Sequence, residues 1–193
     1  MRLKHLTLAA MCSLFALWAQ ASDLSDKLAT SDYVLLMRHT RAPGIGDPPR
    51  YTLEDCKTQR NLSAEGRNQA VTIGNWLKKQ GITTADVRSS AWCRCKDTAE
   101  RLNFKGFKVE PTLASFFDEM DKTPERTQAL QKFIAERRQT KGAQALILVT
   151  HHVNIHAFMG ENIASGDMVL AKVDAQGKMR SYKLMPRPSQ GQP

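Results

Sequence analysis

The sequence is poor in the features that mark specialised protein classes. It has four cysteines in 193 residues and 7% aromatic residues, and its 11 glycines and 8 prolines form no repeat. These values exclude a collagen-like chain, a repeat array and a disordered chain. With 41% hydrophobic residues, the chain can form one ordinary core, so we expect a single globular domain.

Long apolar runs are scarce as well, since only the N-terminus carries one. Basic residues precede an apolar run over residues 6–18, and the small-x-small site Ala19-Gln20-Ala21 follows. This pattern predicts a secretory signal peptide on residues 1–21, cleaved after Ala21. An uncleaved anchor is the alternative, but a run of roughly a dozen residues falls short of the ~20 that cross a bilayer. We therefore predict a periplasmic or secreted protein with no integral membrane segment after cleavage.

Acidic residues are fewer than basic ones, with 19 Asp and Glu against 28 Lys and Arg and a formal net charge of +9. A basic surface attracts anionic partners such as phosphate esters, nucleic acid or an anionic membrane. Charge alone does not choose among these partners, and it also serves solubility.

Three cysteines remain after the predicted cleavage: Cys56, Cys93 and Cys95. In an oxidising compartment, an odd count implies one disulfide and one spare thiol. Cys56 lies in a long loop that either of the other two could reach, so both pairings stay open. The Cys93-x-Cys95 spacing is too tight for a zinc pair and no second pair completes a set, so we predict no metal and no cofactor.

Two short apolar runs, at residues 33–37 and 145–150, show no polar alternation. Such runs are typical of strands buried on both faces of a parallel sheet. A weaker strand is predicted at residues 87–90. Near the C-terminus, residues 168–173 and 179–184 flank an Asp-Ala-Gln-Gly segment and predict a hairpin.

Two helices between the strands carry clear boundary signals. Ser63 is placed to cap the first helix, and Gly81 to end it. Thr123 is placed to cap the second, with a proline next to it, and that helix ends near Gly142. A further helix includes residues 98–102.

This order of strands and helices predicts a three-layer α/β/α sandwich with a mostly parallel central sheet. The predicted organisation is a signal peptide on residues 1–21, one domain on residues 22–185 and a flexible tail on residues 186–193.

Cationic side chains directly follow the predicted strands. Arg38-His39-Thr40-Arg41 follows the first strand, His151-His152 follows the last, and Arg94 comes after the weaker one. Ligands bind outside the carboxyl ends of parallel strands, so we expect these groups to share one cleft. Arginine offers paired N–H donors to phosphate oxygens, and a neutral imidazole can attack phosphorus. The sequence therefore predicts a site for a tetrahedral dianion.

Four motifs lie in order between residues 33 and 159. They are Arg38-His39-Thr40, a Leu62-Ser63-x-x-Gly66 helix start, the Ser90 to Ala99 segment around Arg94, and Val149-Thr150-His151-His152. They resemble the Arg-His-Gly, Leu-Thr-x-x-Gly, Ser-Pro-Leu-x-Arg and Val-Ser-His-Gly motifs of the histidine phosphatase superfamily. That group includes phosphoglycerate mutases and acid phosphatases. The resemblance implies a phosphoglycerate mutase-like fold, and the predicted export and the cysteine-bearing loop are also similar to a periplasmic branch that includes a lipopolysaccharide core heptose phosphatase.

The resemblance also implies roles for individual residues. His39 is the expected nucleophile, while Arg38, Arg94 and His151 hold the phosphoryl oxygens. Substrate-binding roles are expected of the residues around them: Thr40, Arg41, His152 and Asp118. Arginine charge is expected to keep His39 neutral.

The family's proton-donating glutamate is missing from this sequence, because Ser115 stands in its place. We expect Glu119 to be the acid, with Asp118 as the close alternative. Thr40 and His152 also replace the glycine that usually follows each catalytic histidine.

These observations predict an exported phosphatase that hydrolyses phosphate monoesters through a phosphohistidine. The expected partner is a small phosphorylated substrate, such as a phosphorylated sugar or glycolipid, and not nucleic acid. The alternative is a non-catalytic binder of phosphorylated glycans or other anions on the same fold. A mutase fits export poorly, because its phosphorylated substrates are cytoplasmic.

Overall fold

The structure, a computed structural model, describes residues 23–188. The predicted signal peptide lies outside the described residues, and so do residues 189–193 of the predicted tail. Residues 186–188, at the start of that tail, have no regular secondary structure.

The described chain alternates strands and helices in the order expected for an α/β protein. The strands are β1 (Tyr33–Arg38), β2 (Ala85–Ser89), β3 (Lys108–Val109), β4 (Ala145–Thr150), β5 (Met168–Val173) and β6 (Met179–Met185). The helices are α1 (residues 23–29), α2 (Ala64–Lys79), α3 (Cys93–Arg101), α4 (Thr123–Thr140) and α5 (His152–Met159). Short 3-10 turns lie at Cys56–Thr58, Pro111–Leu113 and Met120–Lys122.

The strands form a six-stranded sheet in the order β3-β2-β4-β1-β5-β6. Strands β3, β2, β4 and β1 run parallel, whereas β5 is antiparallel to β1 and forms a hairpin with β6. The central pair is in register, with Arg38 opposite Thr150. The carboxyl ends of β1 and β4 therefore meet at one edge of the sheet, and the residues that follow them become neighbours.

The central strands are buried because helices cover both faces of the sheet. Every residue of β4 is buried, as its unbroken apolar sequence predicts. Leu35 and Met37 of β1 face a core shared with α1, α2 and α3, while Val34 and Leu36 face a core shared with α4 and α5. This alternation confirms the predicted three-layer sandwich with a mostly parallel sheet.

The helix boundaries follow the sequence signals with one correction. The Ser63 hydroxyl accepts a hydrogen bond from the Gly66 amide at 3.0 Å, so Ser63 caps α2 as predicted. Thr123 was the predicted cap of α4, but its backbone is already helical and it is the first residue of the helix. Its hydroxyl donates to the Met120 carbonyl instead of accepting from a helix amide. The sequence arguments did not anticipate α1, β3 or α5 as elements. Among residues 23–188, no helix has the length and apolar character needed to cross a membrane.

Candidate active site

The two motif histidines meet because they follow neighbouring strands. The His39 amide donates to the Thr150 carbonyl at 3.0 Å, which fixes the turn after β1 against the end of β4. The rings of His39 and His151 are edge to face, with their centroids 5.6 Å apart. Both side chains are buried at the carboxyl ends of their strands. The expected convergence of these residues on one cleft is therefore observed.

The environment of His39 selects one tautomer of its ring. Nδ1 lies 2.8 Å from the Thr40 carbonyl oxygen, which can only accept, so Nδ1 carries the hydrogen. This leaves the Nε2 lone pair available. Burial lowers the pKa of His39 to about 3, and repulsion from Arg94 and Arg38 acts in the same direction. His39 is neutral at physiological pH, but burial is the largest cause of its neutrality, and the arginine charges contribute less than the sequence argument supposed.

His151 has a partner on each ring nitrogen. Nε2 lies 2.8 Å from the Ser90 hydroxyl, and Nδ1 lies 3.4 Å from Nη2 of Arg94. Burial holds the pKa of His151 well below its usual range. A hydroxyl can donate as well as accept, so Ser90 can serve either neutral tautomer of His151. Nη2 of Arg94 can only donate, so in the free protein Nδ1 accepts from it and Nε2–H donates to Ser90. When a bound oxyanion draws Nη2 away, Ser90 can donate to Nε2 instead, and the Nδ1 hydrogen then becomes available to the oxyanion.

Arg38 and Arg94 both carry an unused donor. Nη1 of Arg38 donates to the Ile163 carbonyl at 2.8 Å, and Nη1 of Arg94 is held by the carboxylate of Asp47. The Nε–H of each arginine is buried and has no acceptor within the described part of the chain. Buried donors without an acceptor are costly and uncommon in proteins. The two free donors indicate an oxyanion site beside the histidines.

The loop between β1 and α2 supplies site residues that the sequence arguments missed. Asp47, Tyr51 and Arg60 line the same cavity as His39. The Arg60 side chain donates to the carbonyls of Gly46 and Ala42, each at 2.6 Å, and its burial lowers its pKa. This loop has no periodicity that would reveal which side chains point inward. The one available signal was Cys56, which marks the loop as tied to another element.

The cavity has a volume of about 320 Å³, which leaves room for more than a phosphate group. His152, Asp118 and Glu119 line it, as expected of residues that contact a substrate. Arg41 and Thr40 do not line it. Arg41 is paired with Glu65 on α2 at 3.1 Å, and the buried Thr40 hydroxyl contacts Thr98 of α3.

The two candidate acids differ in their surroundings. Glu119 forms ion pairs with Lys122 and with Arg126, the latter at 3.3 Å. Lys122 above all, and then Arg126, hold the pKa of Glu119 below its usual value. Asp118 has no hydrogen bond or ion pair to its carboxylate within residues 23–188. Of the two carboxylates, Asp118 is the less committed to neighbouring side chains.

The disulfide joins Cys56 to Cys93, which resolves the pairing that the sequence left open. Cys95 stays a buried thiol 3.5 Å from Nε2 of His151, and burial raises its pKa to about 12. Such a thiol is unreactive. Within the described part of the chain, no group of three or more His, Cys, Asp or Glu side chains is arranged to hold a metal ion.

Comparison with known proteins gives a family match. The model of the histidine phosphatase superfamily (branch 1) matches residues 34–123. This part of the chain is similar to the histidine phosphatase superfamily. A search of the curated proteins found no match.

Solved structures of phosphatases share the fold of this chain. The protein histidine phosphatase SixA, in complex with tungstate, is 19% identical, with a TM-score of 0.54, and the match covers 80% of this chain and 97% of SixA. A mycobacterial glucosyl-3-phosphoglycerate phosphatase is 15% identical, with a TM-score of 0.57, and the match covers 82% and 99% of the two chains. A phosphoserine phosphatase from Entamoeba histolytica is 10% identical, with a TM-score of 0.57 and coverages of 82% and 98%.

The family match confirms the predicted resemblance, and the solved structures confirm the phosphoglycerate mutase-like fold. The family match supports a phosphoric monoester hydrolase. The family match and these three structures do not identify the periplasmic heptose phosphatase branch, which stays a prediction.

Proposed function

We propose that this protein is an exported phosphomonoesterase that acts through a phosphohistidine on His39. The observation that carries the proposal is the arrangement of His39 and two arginines around one cavity. His39 is buried, neutral and hydrogen-bonded so that Nε2 keeps its lone pair. The unpaired Nε–H groups of Arg38 and Arg94 supply donors for a phosphoryl group within reach of such a nucleophile.

In the first step, the Nε2 lone pair of His39 attacks phosphorus, and the bond from phosphorus to the leaving oxygen breaks. Arg38, Arg94 and His151 bind the three phosphoryl oxygens and offset the charge that develops on them. A carboxylic acid protonates the leaving oxygen, so an alcohol departs. The products of this step are the alcohol and a phosphohistidine.

In the second step, a water molecule attacks the phosphohistidine. The carboxylate formed in the first step accepts a proton from this water, and the nitrogen–phosphorus bond breaks. Inorganic phosphate leaves, and both His39 and the acid return to their starting states. The two steps together convert the phosphate monoester and one water molecule into an alcohol and inorganic phosphate, with His39 and one carboxyl group unchanged at the end.

The surroundings of the two carboxylates move our choice of acid from Glu119 to Asp118. The ion pairs of Glu119 with Lys122 and Arg126 favour its charged form, which makes it a poor proton donor in the free enzyme. Asp118 lines the same cavity without such partners. We therefore assign the acid role to Asp118 and a substrate-binding role to Glu119.

The substrate that we propose is a small phosphate monoester, such as a phosphorylated sugar or glycolipid. The cavity has room for a leaving group, and Tyr51, Trp92 and Phe117 offer it apolar surface. The acidic side chains at the mouth of the cavity can accept hydrogen bonds from sugar hydroxyls.

The test is turnover of an aryl phosphate by the mature protein and by a His39→Ala variant. We expect the variant to fold and to lose activity by orders of magnitude. The wild type should also retain label from a labelled substrate as an adduct that survives alkali and is lost in acid, as a phosphoramidate does. A folded wild type that binds phosphate without turnover would instead be the non-catalytic binder. Export is tested separately by N-terminal sequencing of the protein recovered from a bacterial periplasm, which should begin at Ser22.

A further inference from the structure

Asp47 is a buried carboxylate beside the arginines that form the anion-binding part of the cavity. It lines the cavity with Arg94 and Arg60, and its side chain is only 6% exposed. A negative charge at this place repels a phosphate dianion. The contacts of Asp47 indicate a structural role that offsets this repulsion.

Four donor contacts surround the Asp47 carboxylate. Nη1 of Arg94 donates to Oδ1 at 2.9 Å and to Oδ2 at 3.0 Å. The indole Nε1 of Trp92 donates to Oδ2 at 3.1 Å, and the Arg60 amide donates to Oδ1 at 3.0 Å. Both oxygens accept from N–H groups, so neither presents a hydroxyl to a leaving group. The contacts argue against an acid role and in favour of a fixed orientation.

The contacts of Asp47 divide the donors of the Arg94 guanidinium into two sets. Asp47 takes Nη1, whereas Nε is unpartnered and Nη2 lies beside Nδ1 of His151. The Nε and Nη2 hydrogens point the same way and form a fork that matches two oxygens of a phosphate. An arginine without a partner on Nη1 could turn either of its forks toward the substrate.

We propose that Asp47 is a positioning residue, which binds Nη1 of Arg94 so that the Nε and Nη2 fork faces the phosphoryl group. The inference rests on the proposed function, since it assigns Arg94 to the phosphate. Asp47 touches no reacting atom and acts through Arg94 alone. The loop after β1 thereby sets the geometry of a residue on α3.

The first experiment needs no turnover. A crystal structure of the wild-type protein with vanadate should show Nε and Nη2 of Arg94 on vanadate oxygens while Nη1 stays on Asp47. A structure in which Nη1 leaves Asp47 and binds vanadate would overturn the proposal. This result stands whether or not the protein proves to be a phosphatase.

The second experiment is a double-mutant cycle on kcat/KM with Asp47→Asn and Arg94→Ala. Asp47→Asn keeps the shape of the side chain but loses the charge that holds Nη1, and we expect a fall of about 10²-fold, the scale of a small misplacement of a catalytic group. In the Arg94→Ala background, the same substitution should change kcat/KM by no more than about two-fold. Equal effects in the two backgrounds would show that Asp47 does not act through Arg94.

Two controls separate positioning from other roles. A lost positioning residue slows aryl and alkyl phosphates by the same factor, whereas a lost acid slows alkyl phosphates far more. Asp55→Asn is the matched control, because Asp55 lies in the same loop and, among residues 23–188, its carboxylate accepts only from the Lys57 amide, at 2.9 Å. It should keep wild-type activity. If wild-type turnover is absent, the proposed function fails, and the vanadate structure alone decides the role of Asp47.

Discussion

Burial decides the charge of the two pocket histidines. Each is nearly inaccessible to solvent, and in each case burial is the largest cause of a lowered pKa. A neutral imidazole is the form that can attack phosphorus, so under the proposed mechanism burial prepares His39 for reaction before any substrate arrives. The neutral ring lowers the stability of the folded protein at acidic pH, because the unfolded chain protonates the same ring at an ordinary pKa.

This difference in protonation predicts how stability depends on pH. The pKa of His39 is about 3 in the folded protein against 6.5 for an ordinary histidine, so the unfolded state binds the extra proton between these values. Stability is therefore lost as pH falls below 6.5. Well inside this window, His39 contributes a slope of about 1.4 kcal/mol per pH unit. We expect His39→Asn to flatten the curve of unfolding free energy against pH by that amount. Denaturant unfolding from pH 7 to 4 measures it, and parallel curves would contradict it.

The choice between Asp118 and Glu119 predicts a dependence on the leaving group. Asp118→Asn should slow an alkyl or sugar phosphate by about 10²–10⁴-fold, the usual effect of losing a general acid. An aryl phosphate should slow far less, because its leaving group is already a stable anion. Glu119→Gln should affect both substrates alike. The reverse pattern would return the acid role to Glu119. If each variant slowed the alkyl and the aryl phosphate by the same factor, neither residue would be the acid.

At the scale of elements, the disulfide ties the loop after β1 to the first residue of α3. Cys56 pairs with Cys93, next to Arg94, and the amide of Cys93 also donates to the Gln59 side chain at 2.8 Å. The segment that carries Asp47 is thereby fixed to the helix that carries Arg94. We therefore expect the disulfide to position the site residues as well as to stabilise the fold.

Replacing Cys56 and Cys93 together by serine should therefore reduce both stability and activity. The bond closes a loop with a sequence separation of 37, and its loss should lower the free energy of unfolding by about 2–4 kcal/mol. Because Asp47 and Arg94 lose their tether, kcat/KM should fall even at temperatures where the variant is fully folded. Calorimetry and steady-state kinetics measure the two effects. A variant that is less stable but fully active would show that the tether serves the fold only.

Elements also show what the sequence could and could not predict. The apolar run of β4 and the cap of α2 are local signals, so both were predicted correctly. Arg38 and His39 were found because they directly follow a recognisable strand. The placement of Asp47 depends instead on a distant disulfide and on hydrogen bonds to α3, which no local pattern encodes. The same absence of a local signal left the acid undecided between two adjacent residues.

At the scale of the whole molecule, the mouth of the cavity carries exposed apolar side chains. Ile45 is 90% exposed and Phe117 is 49% exposed, and they lie on separate loops that both line the cavity. Exposed apolar groups grouped at a site indicate contact with a ligand or a partner. They suit a substrate whose leaving group is partly apolar, such as the proposed glycolipid.

This surface predicts a preference among substrates. Along a series of short n-alkyl phosphates, kcat/KM should rise with chain length, since each buried methylene contributes about 0.8 kcal/mol. Ile45→Ser combined with Phe117→Ser should flatten the rise while leaving the affinity for inorganic phosphate unchanged. Val71→Ser, at an exposed apolar position on α2 that does not line the cavity, is the control. A flat series in the wild type would favour a polar leaving group such as a free sugar.

The order of the strands also governs when catalytic competence can arise during synthesis. Strand β4 lies between β2 and β1, although it follows both of them in the chain. Neither earlier strand can complete its native pairing until residues 145–150 have emerged and inserted. His151 arrives with that insertion, so until then a growing chain carries Arg38, His39 and, later, Arg94 without a pocket to join them. The proposed phosphate site can therefore form only after the centre of the sheet has closed, and we expect a chain truncated before β4 to lack it.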